Sequence, residues 1–173
     1  EMGLAAWWRS LPPEAKESPV LWDPPKAYFE GIGQFFERMA TSREFASRIE
    51  DFDADLAENL NHWHWRSTID GITHYLASTK TEQMLYERPG QWDQISKEAA
   101  LIEQRLSGRE WSNPSDDSGR PYVRSLRSDL MIHLPAYVQN YLFATATEAS
   151  LWEAATKAMG DPVGNAKLGP WLR

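Results

Sequence analysis

The sequence predicts an all-α, single-domain protein, a bundle-like array of about six or seven helices with a long central helix and irregular termini. Apolar residues recur at intervals of three and four over most of the chain, and no segment shows the two-residue alternation of a half-buried strand. No internal repeat is visible. The length of 173 residues, with 42% hydrophobic and 25% charged residues, is typical of one folded domain with a sizeable core.

Residues 1–25 are expected to form a proline-rich N-terminal arm with one short helix. Five prolines lie between Pro12 and Pro25, and proline favours extended chain and turns over helix interiors. Trp7 and Trp8 stand next to each other near the start and need an apolar surface to pack on. They are therefore candidate contacts with a partner.

Residues 26–160 are expected to form the helical core domain. Its first helix runs to about Ala40, with an inward stripe of Tyr28, Ile32, Phe35 and Met39. A capping box at Thr41 and Glu44 opens the next helix at about Ser42. This central helix carries the longest apolar stripe in the chain, which predicts a core-facing side: Phe45, Ile49, Phe52, Leu56, Leu60 and Trp63.

Beyond Trp63 the apolar positions change sides. Trp65, Ile69, Ile72 and Leu76 lie almost opposite the first stripe, which favours a central helix with a kink near residues 62–66. The pattern after the central helix predicts a short helix at 82–87, a turn at 88–90, a helix at 92–106 closed by Gly108, and a polar loop at 109–121. A helix at 122–134 is expected to be interrupted or kinked at Pro135 and to continue over 136–146. A last short helix is expected at 149–159, followed by a C-terminal docking tail at 161–173 with Trp171 and Leu172 as contacts.

Composition excludes several classes of function. The net charge of −7 disfavours nucleic-acid binding, since Lys and Arg supply most of the affinity for phosphates. Zero cysteines exclude disulfides, zinc–thiolate sites and thiol catalysis and fit a reducing compartment. No apolar run approaches about 18 residues and no signal peptide is visible, so we expect a cytoplasmic protein without a membrane span. No phosphate loop or dinucleotide fingerprint is present, and no cofactor is predicted.

Three of the four histidines fall between Glu58 and Leu76. In a helix, His62, Arg66, Asp70 and His74 form a polar stripe, which is either a solvated face or the floor of an aromatic pocket. The pocket candidates are His62, Trp65, Arg66, Asp70, His74 and His133. A metal site is not predicted, because His62 and His74 would be about 18 Å apart along a straight helix.

Acidic residues concentrate at residues 50–58. Together with the terminal tryptophans they form the candidate protein interface, namely Glu50, Asp51, Asp53, Asp55, Glu58, Trp7, Trp8 and Trp171. No nucleophilic or paired-carboxylate motif is present, so no catalytic residue is assigned and the balance favours a non-enzymatic role. The leading hypothesis is an acidic helical interaction module, of inhibitor or immunity type, that binds a basic protein. The alternative is a helical domain that binds a small molecule or metal around residues 62–74.

A further alternative comes from Arg127 and His133, which are separated by five residues on a predicted helix. This spacing resembles the Arg–x4–6–His motif of HEPN ribonucleases, and the resemblance covers seven residues. It implies a dimeric ribonuclease with Arg127 and His133 at the cleft. Apart from this resemblance, the sequence does not indicate an oligomeric state.

Overall fold

The computed structural model describes residues 8–9, 11–17, 25–49, 53–108 and 133–172. These residues contain seven α-helices and no strand, and 78% of them are helical, which confirms the predicted all-α class. None of the described helices is long and apolar enough to cross a membrane. In chain order the helices are α1 (Pro13–Lys16), α2 (Lys26–Ala40), α3 (Arg43–Ala46), α4 (Ala54–Glu87), α5 (Trp92–Ser107), α6 (Gln139–Met159) and α7 (Leu168–Trp171).

Helices α2 and α5 match the sequence prediction. In α2, Ile32 and Phe35 are buried and Tyr28 and Met39 are half-buried, so the predicted inward stripe is confirmed. Helix α5 ends where Gly108 adopts a left-handed conformation at φ 64°, which glycine accepts without a Cβ clash. Local signals therefore determine both elements.

The predicted continuous helix from Ser42 into the central segment is wrong. Ser42 does cap a helix, since its hydroxyl accepts a hydrogen bond from the Phe45 N–H at 3.1 Å, but α3 has only four residues. The long helix begins afresh at α4, where the Asp53 carboxylate accepts the Asp55 N–H at 2.8 Å. Helix α4 then runs 34 residues and includes residues 82–87, predicted to be a separate short helix. It ends at Glu87, before Pro89.

The predicted core-facing side of the central helix is also wrong. Phe45, Ile49, Leu56 and Trp63 are all exposed, and Leu56 retains 49% of its accessible surface. Phe52 lies outside the described residues. The buried positions on α4 are small or polar instead, at Ala57, His64, Ala77, Ser78, Thr81 and Glu82, with Met84 near the end. Apolar periodicity here does not mark the side that the protein buries.

The C-terminal elements differ from the prediction in two respects. The helices expected at 136–146 and 149–159 form one helix, α6, because no proline or glycine interrupts the chain between residues 139 and 159. Gly160, at φ 80°, follows its end. The tail contains α7, and Leu172 packs against the core formed by Phe35, Ala155 and Leu168.

The chain forms two compact units, the first made of Glu1–Arg66 and Phe143–Arg173 and the second of Ser67–Leu142. In the first unit the core of Phe35, Ala155 and Leu168 is surrounded by Phe36, Met39, Leu151, Trp152, Met159 and Leu172. In the second unit the core consists of Met84, Ile95 and Ala99, with Leu85, Ala100 and Ile102 around it. Each unit therefore has its own apolar centre.

In the second unit an ion pair links Arg88, the residue that follows α4, to Glu98 of α5. The Arg88 guanidinium donates to both carboxylate oxygens of Glu98, at 2.9 and 2.7 Å, and Gln94 donates to the same carboxylate at 2.9 Å. The hydrogen bonds from Arg88 and then Gln94 lower the pKa of Glu98 to about 2. Glu98 therefore stays ionised through the physiological range.

A buried carboxylate holds the turn before α6. Glu82 accepts a hydrogen bond from the Ala136 N–H, and the Tyr86 hydroxyl donates to it at 3.4 Å. Ala136 adopts φ 59°, a left-handed conformation that is unfavourable for a residue with a Cβ. Glu82 thus stabilises a strained turn.

Candidate functional site

A polar cluster lies among α2, α4 and α6 of the first unit. It contains the ion pair of Arg38 and Glu148 together with His64, on which both of these charges act. We refer to these three side chains as the buried cluster. Arg38 Nη1 donates to Glu148 Oε1 at 2.9 Å, and the side chains of this pair keep 20% and 10% of their surface. A charge-assisted hydrogen bond in such surroundings is stronger than one between exposed side chains. It joins two residues that are 110 positions apart in the sequence.

Two tryptophans cover the guanidinium of Arg38. Its central carbon lies 4.0 Å from the centre of the Trp152 ring and 4.9 Å from that of Trp65. Both distances are within the range of cation–π attraction, which is stronger where water is partly excluded. The positive charge of Arg38 is therefore matched by one carboxylate and two aromatic rings.

His64 is the member of the buried cluster whose side chain ordinarily titrates near neutral pH, and 8% of its surface is exposed. Its ring meets that of Trp65 edge to face at 5.5 Å. Burial lowers the pKa of His64, the charges of Glu37 and Glu148 act in the opposite direction, and Arg38 lowers it further. The imidazole is therefore held in its neutral form at neutral pH. Because Arg38 is already paired, the chemistry open to the cluster is proton binding at His64.

Sequence reasoning missed Arg38 and Glu148. Glu148 did carry a signal, because it is the only charged residue between His133 and Glu153, and a lone charge in a helix of Ala, Thr and aromatic residues requires a partner. Of the pocket candidates, Trp65 contacts the buried cluster. The neighbouring histidine, His64, and not His62, is the buried one.

Replacing Glu148 with glutamine is expected to lower the free energy of unfolding by roughly 1.5–3 kcal/mol, because Arg38 would lose its charged partner in a partly desolvated site. Urea denaturation measures the change. Glu153→Gln on the same helix is the control, since Glu153 and Lys157 form a solvent-exposed pair at 2.6 Å whose loss should change the free energy of unfolding much less. Equal losses in the two variants would contradict a structural role for the buried cluster.

The other pocket candidates lie in more open positions. In the first unit His62 and Arg66 are exposed, and His62 Nε2 lies 3.7 Å from Glu58 Oε1. In the second unit Asp70 and His74 are half-buried, and the His74 ring lies 5.7 Å from that of Tyr75. His133 is exposed, and Arg127 lies outside the described residues. The pocket and ribonuclease hypotheses therefore stay predictions.

The structure describes some of the candidate interface residues and not others. Asp53, Asp55 and Glu58 are exposed at the start of α4, where negative charge also interacts favourably with the helix dipole. Glu58 pairs with Arg43 at 3.0 Å. Glu50, Asp51 and Trp7 lie outside the described residues, whereas Trp8 and Trp171 are exposed.

Leu56 and Trp63 are exposed, although the apolar pattern of the sequence predicts that they face the core. They are seven positions apart on α4 and therefore lie on the same side of the helix, two turns from each other. We refer to the exposed side chains of Asp53, Asp55, Leu56 and Trp63 as the α4 face. It combines apolar surface with negative charge in a single stretch of the first unit.

The described residues contain no group of three or more side chains of the kind that holds a metal ion. Their most distinctive chemistry is the buried cluster and the exposed α4 face. Comparison of the whole chain with family models, with curated proteins and with solved structures gives no match.

Proposed function

We propose that the protein is a protein-interaction module and that a basic partner protein binds its α4 face. The observation that carries this proposal is the exposure of Leu56 and Trp63 on one side of the first half of α4, at 49% and 56%. Large apolar side chains that share one exposed side of a helix are typical of a surface that another molecule covers.

The energetics favour a partner for these side chains. Removing a leucine-sized or larger apolar side chain from water contributes about 1.5–3 kcal/mol. Tryptophan is also enriched among the residues that dominate binding energy in protein interfaces. Trp63 would therefore supply much of the affinity, with Leu56 beside it on the same side of the helix.

The charge of the α4 face supports a basic partner. Asp53 and Asp55 are exposed next to Leu56, and the whole chain carries a net charge of −7. Negative charge on a rigid helix attracts a positively charged protein and accelerates association, and salt weakens the effect. A helical inhibitor or immunity-type protein that neutralises a basic protein would use such a surface.

Affinity purification from the native source, followed by binding measurements with the purified partner, tests this proposal. We expect the wild-type chain to retain a basic protein whose association slows as salt is raised, and Trp63→Ala to weaken binding by about 2 kcal/mol or more, or roughly 30-fold. Circular dichroism should show an intact fold, because an exposed side chain is removed.

Trp92→Ala is the matched control, since Trp92 is an exposed tryptophan at the start of α5 in the second unit. We expect it to bind like the wild type. Equal loss of binding in both variants would contradict the assignment to the α4 face. Absence of any retained protein, with the chain monomeric at high concentration, would overturn the proposed function itself.

A further inference from the structure

The first half of α4, residues 54–66, is covered by the rest of the protein along a narrow arc. Its described side chains that are buried or half-buried are Ala57, Leu60, Asn61 and His64. At about 100° of rotation per residue, these positions fall within about 100° of the helix circumference. The exposed positions spread over about 180° and are Asp55, Leu56, Glu58, Asn59, His62, Trp63, Trp65 and Arg66. About half of the circumference is therefore open to another molecule.

Two tryptophans lie on opposite sides of this open half. Trp63 and Trp65 are two positions apart, which separates them by about 200° around the helix, and they are exposed to 56% and 43%. Trp63 shares its side with Leu56 in the α4 face, whereas the Trp65 ring also contacts the Arg38 guanidinium. A flat partner surface contacts a stripe about 100° wide and reaches only one of the two tryptophans. A partner that covers both must extend around the helix.

A row of polar side chains separates the two tryptophans. Asp55, Asn59, His62 and Arg66 recur at intervals of four, three and four, so they form one line along the helix, and all four are exposed. We refer to them as the polar row. Asp55 lies at its start and Arg66 about 16 Å further along the axis. Polar groups that a partner encloses need hydrogen-bonding or charged groups opposite them, and a basic protein supplies a cation for Asp55.

We propose that the basic partner encloses the first half of α4 in a groove. Apolar walls of the groove contact Trp63 and Trp65, and its polar floor carries positive charge opposite Asp55. This inference rests on the proposed function and specifies the shape and charge of the partner. A helix that inserts apolar side chains into a groove is a recurring mode of protein recognition. The opposite charges of Asp55 and Arg66 favour one direction of the helix in the groove.

Single cysteines test the groove, because the chain contains no cysteine of its own. Asn59→Cys and His62→Cys each place a thiol in the polar row, and Ala154→Cys places one at an exposed position of α6 as the control. The probe is the basic protein that the wild-type chain retains in affinity purification, added to saturation before a maleimide reagent. We expect the complex to slow labelling of both thiols of the polar row by about tenfold or more and to leave the control unchanged.

Trp65→Ala gives an independent measurement on the second wall. We expect it to weaken binding of the same probe by about tenfold or more, because an exposed tryptophan loses its contact with the groove. Circular dichroism and the urea midpoint of the free variant show whether the loss of the ring beside Arg38 disturbs the fold. Trp65→Phe retains a ring at this position and should weaken binding less. If Trp65→Ala does not fold, the cysteine measurements decide.

The outcomes separate the groove from the proposed function. Slow labelling at Asn59→Cys alone, with Trp65→Ala binding like the wild type, would show that the partner docks flat on the α4 face and would overturn the groove only. Unchanged labelling of both thiols in a complex that Trp63→Ala weakens would do the same. A complex that neither protects the thiols nor depends on Trp63 would overturn both proposals, as would the absence of any retained protein.

Discussion

Replacing Phe35 with alanine is expected to lower the free energy of unfolding by about 3–5 kcal/mol. Phe35 is fully buried at the centre of the first unit, where its ring lies 5.6 Å from both Phe36 and Trp152. Its removal deletes apolar contacts and leaves a cavity among side chains from α2, α6 and α7. Urea denaturation followed by circular dichroism measures the loss.

Phe45→Ala is the control for this substitution. Phe45 retains 41% of its surface, so its truncation should change the free energy of unfolding by less than about 1 kcal/mol. If the two phenylalanine variants unfolded at the same urea concentration, Phe35 would not be the centre of the core.

Replacing Gly31 with alanine is expected to destabilise the protein by about 1–3 kcal/mol, although alanine is the better helix former. A Cβ at Gly31 would lie 2.8 Å from Thr147 Cβ and 3.0 Å from the Ala144 carbonyl oxygen. Because the carbonyl belongs to the backbone of α6, relief of the clash requires a helix to move. Thermal unfolding with a calorimetric enthalpy measures the effect.

Gly33→Ala should have the opposite sign. Gly33 lies two residues away on the same helix, and a Cβ there would meet nothing within 4 Å. The gain in helix propensity should stabilise the protein by about 0.5–1 kcal/mol. Stabilisation by both substitutions would show that α2 and α6 are not in close contact at Gly31.

The sequence predicted elements whose ends carry local signals. Helices α2 and α5 follow from their apolar spacing and from Gly108, because capping and turn preferences act over a few residues. The breaks around α3 carried no such signal. The chain from Thr41 to Trp63 has regular apolar spacing and no proline or glycine, yet α3 ends at Ala46 and α4 starts at Ala54.

The burial of α4 could not be predicted from its own pattern. Periodicity indicates which residues share a side of a helix, but the neighbouring elements decide which side is covered. On α4 the covered positions include His64 and Ser78, which apolar counting ignores. The charged groups that act on His64 lie on α2 and α6, and residue spacing along α4 does not contain that information.

The second unit is one continuous segment of the chain, whereas the first is built from two separate segments, and this difference sets an order for their folding during synthesis. Residues 67–142, which make up the second unit, are contiguous, so they are synthesised one after another. Contacts within this unit, such as that between Arg88 and Glu98, join residues close in sequence and can therefore form early. The first unit combines residues 1–66 with residues 143–173, so its core cannot form until Ala155 and Leu168 have been synthesised and can pack against Phe35. A nascent chain stalled before residue 143 would therefore contain all residues of the second unit and about two thirds of those of the first, and would be a natural substrate for chaperones.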